Sequence, residues 1–221
     1  ICRATIGQLE LSDEEKARWA TRINSFQSRR SGWYRKSYTL HFRSHSSAYA
    51  VAALKLLGHA PAYPLRKALR VAKDAGTTRA WLESVPWSLS WPASHTVAGL
   101  PAILLMTDSA PEDFWDTYFT WLEKNVRQET GFWSRGLLHR FGIRPLLAKE
   151  ELGGAFHMHF IYEAMGRQWP YPQRVVDAAL ELQQDNGLWD GEVSYCIDLD
   201  GIYSLLRSSR NAGGYRAPDV E

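Results

Sequence analysis

Gln183-Gln184-Asp185-Asn186-Gly187-Leu188-Trp189 reads as the end of one helix followed by a tight, aromatic-anchored turn. Tyr195-Cys196-Ile197-Asp198-Leu199-Asp200-Gly201 then opens a second helix with two acids near its start. A glycine just past a helix supplies the left-handed conformation that closes it at little cost. The aromatic two places later packs over the helix end. Weaker echoes of Gly-x-aromatic stand at Gly131-Phe132-Trp133 and Gly32-Trp33-Tyr34.

The segments on either side of these turns alternate in character. Pro170-Tyr171-Pro172 starts an amphipathic helix, Gln173 to Gln184, with Val175, Val176, Ala179, Leu180 and Leu182 inward; a mostly apolar helix, Cys196 to Arg207, follows. Earlier, Ser12 caps a helix with Asp13-Glu14-Glu15 in its first turn. Trp19, Ile23 and Phe26 form its apolar face, and it ends at Arg29-Arg30-Ser31-Gly32. A loop with Trp33, Tyr34, Arg35-Lys36 and Tyr38 leads to an apolar helix from Ser44-His45 to Leu57-Gly58. A polar helix from Leu65 to about Leu82 and a Trp-rich loop, Val85 to Pro92, come next. Ser94-His95-Thr96 opens the apolar helix Val97 to Met106, where Pro101 predicts a kink or a displaced start. Asp108 or Ser109 caps a helix striped by Phe114, Trp115, Tyr118, Trp121 and Leu122. A loop with Arg135, His139 and Arg140 precedes Gly153-Gly154, which opens an apolar helix through His157, His159, Ile161 and Tyr162 to Gly166.

The apolar helices begin near His45, His95, Gly154 and Asp198, at separations of 50, 59 and 44 residues. That is an internal repeat of helix pairs. Long 3.6-period runs without period-2 alternation predict an all-α chain. The apolar helices look buried on all sides. Inner apolar and outer amphipathic helices then predict an α/α toroid, a barrel of about four helix pairs in one domain, residues 1–221. An open α-solenoid is the competing layout.

Composition narrows the classes. The net charge is +2 and the basic residues are scattered, so no nucleic-acid face is expected. The longest apolar run, near Ala98 to Met106, is too short to span a bilayer. Two distant cysteines, Cys2 and Cys196, make no disulfide framework, so a cytoplasmic location is the expectation. The chain begins at Ile1, which suggests a trimmed piece and an incomplete ring. Ten Trp residues point to repeated anchors or an aromatic cavity.

Gln183 to Trp189 resembles the QxxDGxW turn of the terpenoid cyclase and protein prenyltransferase toroids, with Asn186 in place of Asp. Around Gly131 the Gln position is Arg127, with Gln128 one place late; around Gly32, Gln27 is one place early. Asp198-Leu199-Asp200-Gly201 resembles the DxDD of class II cyclases, with Gly201 at the fourth position. Asp200-Gly201-Ile202-Tyr203 is similar to the Asp-x-Cys-Tyr zinc segment of prenyltransferases, with Ile202 at the Cys position, and Ser94-His95-Thr96 resembles their inner-helix His-Thr. The resemblance implies a closed ring whose parallel inner helices gather His45, His95, His157 or His159, and Asp198 or Asp200 at one mouth.

From these residues we expect Asp198, Asp200, His95 and His157 to carry catalysis. His45, His159, Trp91, Trp133, Trp189, Tyr203 and Arg207 are expected to bind substrate. Two carboxylates two residues apart on a helix point about 200° apart, so one of the Asp pair faces a cavity and the other suits an N-cap. A catalytic acid needs burial or a like-charged neighbour to stay protonated, and the pair offers the neighbour. Trp81, Trp87, Trp91, Trp133 and Trp189 are candidates to line a pocket. Arg135, Arg140, Arg144, Arg207 and Arg210 are candidates for anion recognition. One of His157 and His159 with Cys196 or an Asp would form a metal site, although no metal spacing motif and no cofactor signature are present.

Three functions fit. The first is acid-initiated chemistry on an isoprenoid in an aromatic-lined cavity, a lyase or isomerase. The second is a carbohydrate-active toroid, a lyase, epimerase or hydrolase acting on a saccharide. The third is a non-catalytic helical-repeat binding protein.

Overall fold

The computed structural model describes residues 1–34, 42–143, 145–190 and 195–220. Arg35, Lys36, Tyr38 and Arg144 lie outside the described residues. Every regular element described is a helix, as expected; one isolated antiparallel bridge joins Gln27 and Tyr34. Among the described residues no helix is long and apolar enough to cross a membrane. In order the helices are α1 (Cys2–Thr5), α2 (Asp13–Asn24), α3 (Arg43–Leu56), α4 (Arg66–Val71), α5 (Ala75–Ser84), α6 (Ser90–Val97) and α7 (Gly99–Met106). Then come α8 (Glu112–Asn125), α9 (Leu137–Arg140), α10 (Lys149–Ala164), α11 (Pro172–Leu182), α12 (Tyr195–Asn211) and α13 (Ala217–Val220). The chain divides into two compact units, 1–81 with 98–117, and 82–97 with 118–221.

In the first unit, Ser12 forms the expected capping box: Glu15 N donates to Ser12 Oγ and Ser12 N to Glu15 Oε2. The helix stops at Asn24, well short of Gly32, and Trp19 and Phe26 are exposed rather than core. The polar helix expected from Leu65 to Leu82 is two helices. Asp74 breaks it, accepting from Thr77 N at 2.7 Å as the cap of α5. α3 buries one face, Ser44, Ser47, Val51 and Leu54, while Tyr49 is exposed; it is not enclosed on all sides. α3 and α7 run in the same direction. A Cβ on Gly99 would sit 2.9 Å from the Ser44 carbonyl carbon, and Lys55 Nζ reaches Met106 O, at the other end, at 3.4 Å.

In the second unit, α6, α10 and α12 also run in one direction. Ser90 lies against Gly154 and Ser94 against His157. Gly153 lies against Asp200, Phe156 against Tyr203, and Glu163 against Arg207. α10 is enclosed almost all round, as an apolar helix should be. It starts at Lys149, four residues before Gly153. Its two glycines are not a helix start: they let Ser90 on one side and Ile197 and Asp200 on the other approach the backbone. α6 likewise begins at Ser90, inside the stretch expected as loop, and Pro101 fits because α7 restarts only at Gly99. α12 continues past Arg207 to Asn211.

The three Gly-x-aromatic turns share one construction. Gly32, Gly131 and Gly187 have φ of 80°, 73° and 80°. Backbone bonds Ser28 N→Trp33 O, Arg127 N→Phe132 O and Gln184 N→Leu188 O close them. The aromatic that follows each bonds back to the helix before it: Tyr34 OH to Asn24 Oδ1, Trp133 Nε1 to Leu122 O and Trp189 Nε1 to Ala179 O. The first two turns are one residue longer than the third. This explains the displaced Gln27: its Nε2 donates to Gly32 O at 2.9 Å, as Gln183 Nε2 does to Gly187 O at 2.9 Å. Around Gly131 the same place is Val126, and Arg127 Nε bonds Ser134 O instead.

Candidate active site

The second turn of α12 separates the two acids. Asp198 Oδ1 accepts from Trp189 N at 2.8 Å and Asp190 N at 3.3 Å, tying the turn to the helix it precedes. The Trp189 indole then lies flat on Gly201, where a Cβ would overlap its ring. Asp200 points elsewhere. It is 4% exposed and faces α10, where a Cβ on Gly153 would meet Asp200 Oδ2 at 3.1 Å, Ile197 Cδ1 at 3.0 Å and Trp91 Cδ1 at 3.4 Å. Asp200 Oδ2 has no hydrogen-bond partner among the described residues. Burial pushes its carboxyl up to about 8, so burial, and not the charge of Asp198, holds it protonated at neutral pH.

Gly153 also connects Asp200 to the histidines. His157 Nδ1 donates to Gly153 O at 2.8 Å and lies 3.1 Å from Ser94 Oγ, which donates to Trp91 O at 2.6 Å. His95 meets His157 edge-to-face at 5.1 Å and Trp91 at 6.2 Å. His95 and His157 therefore do come together, but from the last turn of α6 and the middle of α10 rather than from helix starts. Asp200, Trp91, Ser94, His95 and His157 form one site on three same-direction helices. One turn further along, Glu163 takes Tyr203 OH and pairs with Arg207, while Phe156 meets Tyr203 edge-to-face at 5.0 Å. Burial pushes the Tyr203 phenol up to about 12.

His45 belongs to the first unit, edge-to-face with Tyr49 at 4.9 Å. His159 is a core side chain, not a substrate contact. It has no exposure, stacks on Trp169 at 4.6 Å, meets Trp133 at 5.8 Å, and is held down to about 3 by burial. Trp133 and Trp189 are buried anchors of the turns and cannot line an open pocket; Trp87 is also buried, with Nε1 on Leu82 O at 2.8 Å. Arg135 lies over Trp121 at 5.2 Å and pairs with Glu83 at 3.7 Å.

Sequence reading missed Glu163 and the buried Glu151. Glu151 accepts from Ser90 Oγ and from Ser134 Oγ at 2.8 Å and faces His139 Nε2 at 3.6 Å. Both glutamates sit where a solvated helix face is the ordinary reading, yet Glu151 is fully buried and Glu163 half-buried. No protein-family model, curated protein or solved structure matches this chain.

Proposed function

We propose that the chain is an acid-catalysing enzyme of the isoprenoid cyclase-like toroid type, in which Asp200 protonates an apolar substrate beside Trp91. The observation that carries this reading is Asp200 itself: buried among Trp91 and Ile197, unpaired at Oδ2 and protonated at neutral pH. The same-direction helices α6, α10 and α12 and the repeated turns support the toroid. An acid in this setting gives its proton to a carbon–carbon double bond. The O–H bond breaks, a C–H bond forms, and a carbocation is left beside a carboxylate. The Trp91 ring stabilises that cation by about 0.5–2 kcal/mol. The reaction closes when a base removes a proton next to the cationic carbon, and His157 and His95 are the side chains at hand. Asp198 acts through Trp189 and Gly201 as a positioning residue.

Polyprenyl substrates incubated with the protein and with Asp200→Asn test this. The variant is expected to lose about 10²–10⁴-fold in turnover. Wild-type turnover falls as pH rises through about 8, because the donor must carry its proton. Equal turnover in the variant, or none with any polyprenyl substrate, sinks the reading.

The Glu163–Tyr203–Arg207 group beside Phe156 favours a second reading, a saccharide substrate held by polar groups against an aromatic edge. A glycan panel that raises the melting temperature, and loses that effect in Glu163→Gln, would select it.

A further inference from the structure

The first unit holds a cleft of about 480 Å³, within the usual size range for small-molecule pockets. Val51, Leu65, Ala68 and Ile103, all buried, form its apolar floor. Its outer wall, residues 60–63, is strapped in place by two amides. Asn24 Nδ2 donates to Ala60 O at 3.1 Å and Asn24 Oδ1 accepts from Ala62 N at 3.3 Å. Gln27 Nε2 donates to Tyr63 O at 2.7 Å and Gln27 Oε1 accepts from Tyr63 N at 2.9 Å. The cleft is therefore built before any ligand arrives.

Its rim at the end of α7 is rich in acceptors. Thr107 Oγ1 donates its one proton to Ile103 O at 2.7 Å. Ser109 Oγ, 2.7 Å from Thr107 Oγ1, must then be the donor of that pair, so its lone pairs remain to accept. Asp108 stands between them with φ 48°, a left-handed conformation that Asp and Asn adopt more readily than other side chains. It also places a carboxylate at the negative end of a helix. A carboxylate at that end works against the local electrostatics, and on a pocket rim such a broken rule is a mark of function rather than folding. No cation among the described residues pairs with Asp108. The exposed Lys55 ammonium donates to Met106 O at the same helix end, which shows that this rim draws a cation.

We infer that this cleft binds a small molecule with an apolar body and a protonated primary amine, the ammonium held by Asp108 and Ser109 Oγ. The assignment is independent of the chemistry at Asp200.

Methyl-detected NMR titrations with 2-phenylethylamine, 2-phenylethanol and 3-phenylpropanoate test it. The amine is expected to shift Val51, Leu65 and Ile103 and to bind about tenfold more tightly than the alcohol, the gain of a charge-assisted hydrogen bond. Asp108→Asn, which keeps a side chain tolerant of the left-handed conformation, should remove that preference. Lys55→Met, which removes the competing ammonium, should tighten the amine. No binding of the amine, a preference for the carboxylate, or an amine preference that survives Asp108→Asn overturns the inference.

Discussion

The turns at Gly187 and Gly32 are two versions of one device, and the better sequence match is the less tightly held. Around Gly187, Gln183 makes one bond, to Gly187 O, and a Cβ on the glycine would find nothing within 4 Å. Around Gly32, Gln27 is buried and bonds Gly32 O, Tyr63 O and Tyr63 N, and a Cβ on the glycine would run into the Pro64 and Leu65 backbone. The match to a pattern thus reports the turn's shape. How much of the fold depends on the turn is decided by what the neighbouring chain lays against it.

Substitutions at matched places sharpen that contrast. Gly32→Ala adds a left-handed strain of about 1–2 kcal/mol and a backbone overlap that no side chain can relieve, so a loss of about 3 kcal/mol or more is expected in urea unfolding. Gly187→Ala meets only the strain, about 1–2 kcal/mol. Equal losses at the two glycines would erase the distinction. Gln27→Leu removes the side-chain partner of three backbone groups, one buried and two part-buried, and should cost about 2–3 kcal/mol, against about 0.5–1 for Gln183→Leu.

A pH-dependent contrast lies along α10 and α12. His159 is neutral when folded to about pH 3, below its ordinary 6.5, so the unfolded chain binds the extra proton and stability is lost as pH falls from 6.5 towards 3. Asp200 is raised from 3.8 to about 8, so the folded chain holds the extra proton and stability is lost as pH rises from 3.8 towards 8. Each contributes a slope of up to about 1.4 kcal/mol per pH unit, with opposite sign. Between pH 3.8 and 6.5 the two oppose each other, and a nearly flat profile is expected. Asp200→Asn should leave a profile that rises with pH there, and His159→Phe one that falls. Flat profiles in both variants would mean that neither group is held as the structure places it.

Legibility followed locality. The all-α class, the Ser12 cap, Pro172 at the start of α11 and the glycine turns rest on short-range rules, and they appear where the residues said. The Gly153-Gly154 pair misled because its role is distant: it thins α10 so that α6 and α12 come close. Gln27 looked out of register because a pattern of fixed spacing cannot see an added residue in the turn. Asp200 was legible as one of a pair, but which acid serves the turn and which is buried depended on where Trp189 lands. Glu151 and Glu163 needed the packed structure, since an acid on a helix carries no mark of what will surround it.

Gly201 has a consequence for anyone who would redesign this helix. The place where the DxDD pattern carries one more acid is occupied by the indole of Trp189, so an acid introduced there would pry the turn off the helix it secures. Here the anchor and a third carboxylate exclude each other. The burial of Asp200 can be tuned from α6 or α10, but not by lengthening its own acidic run.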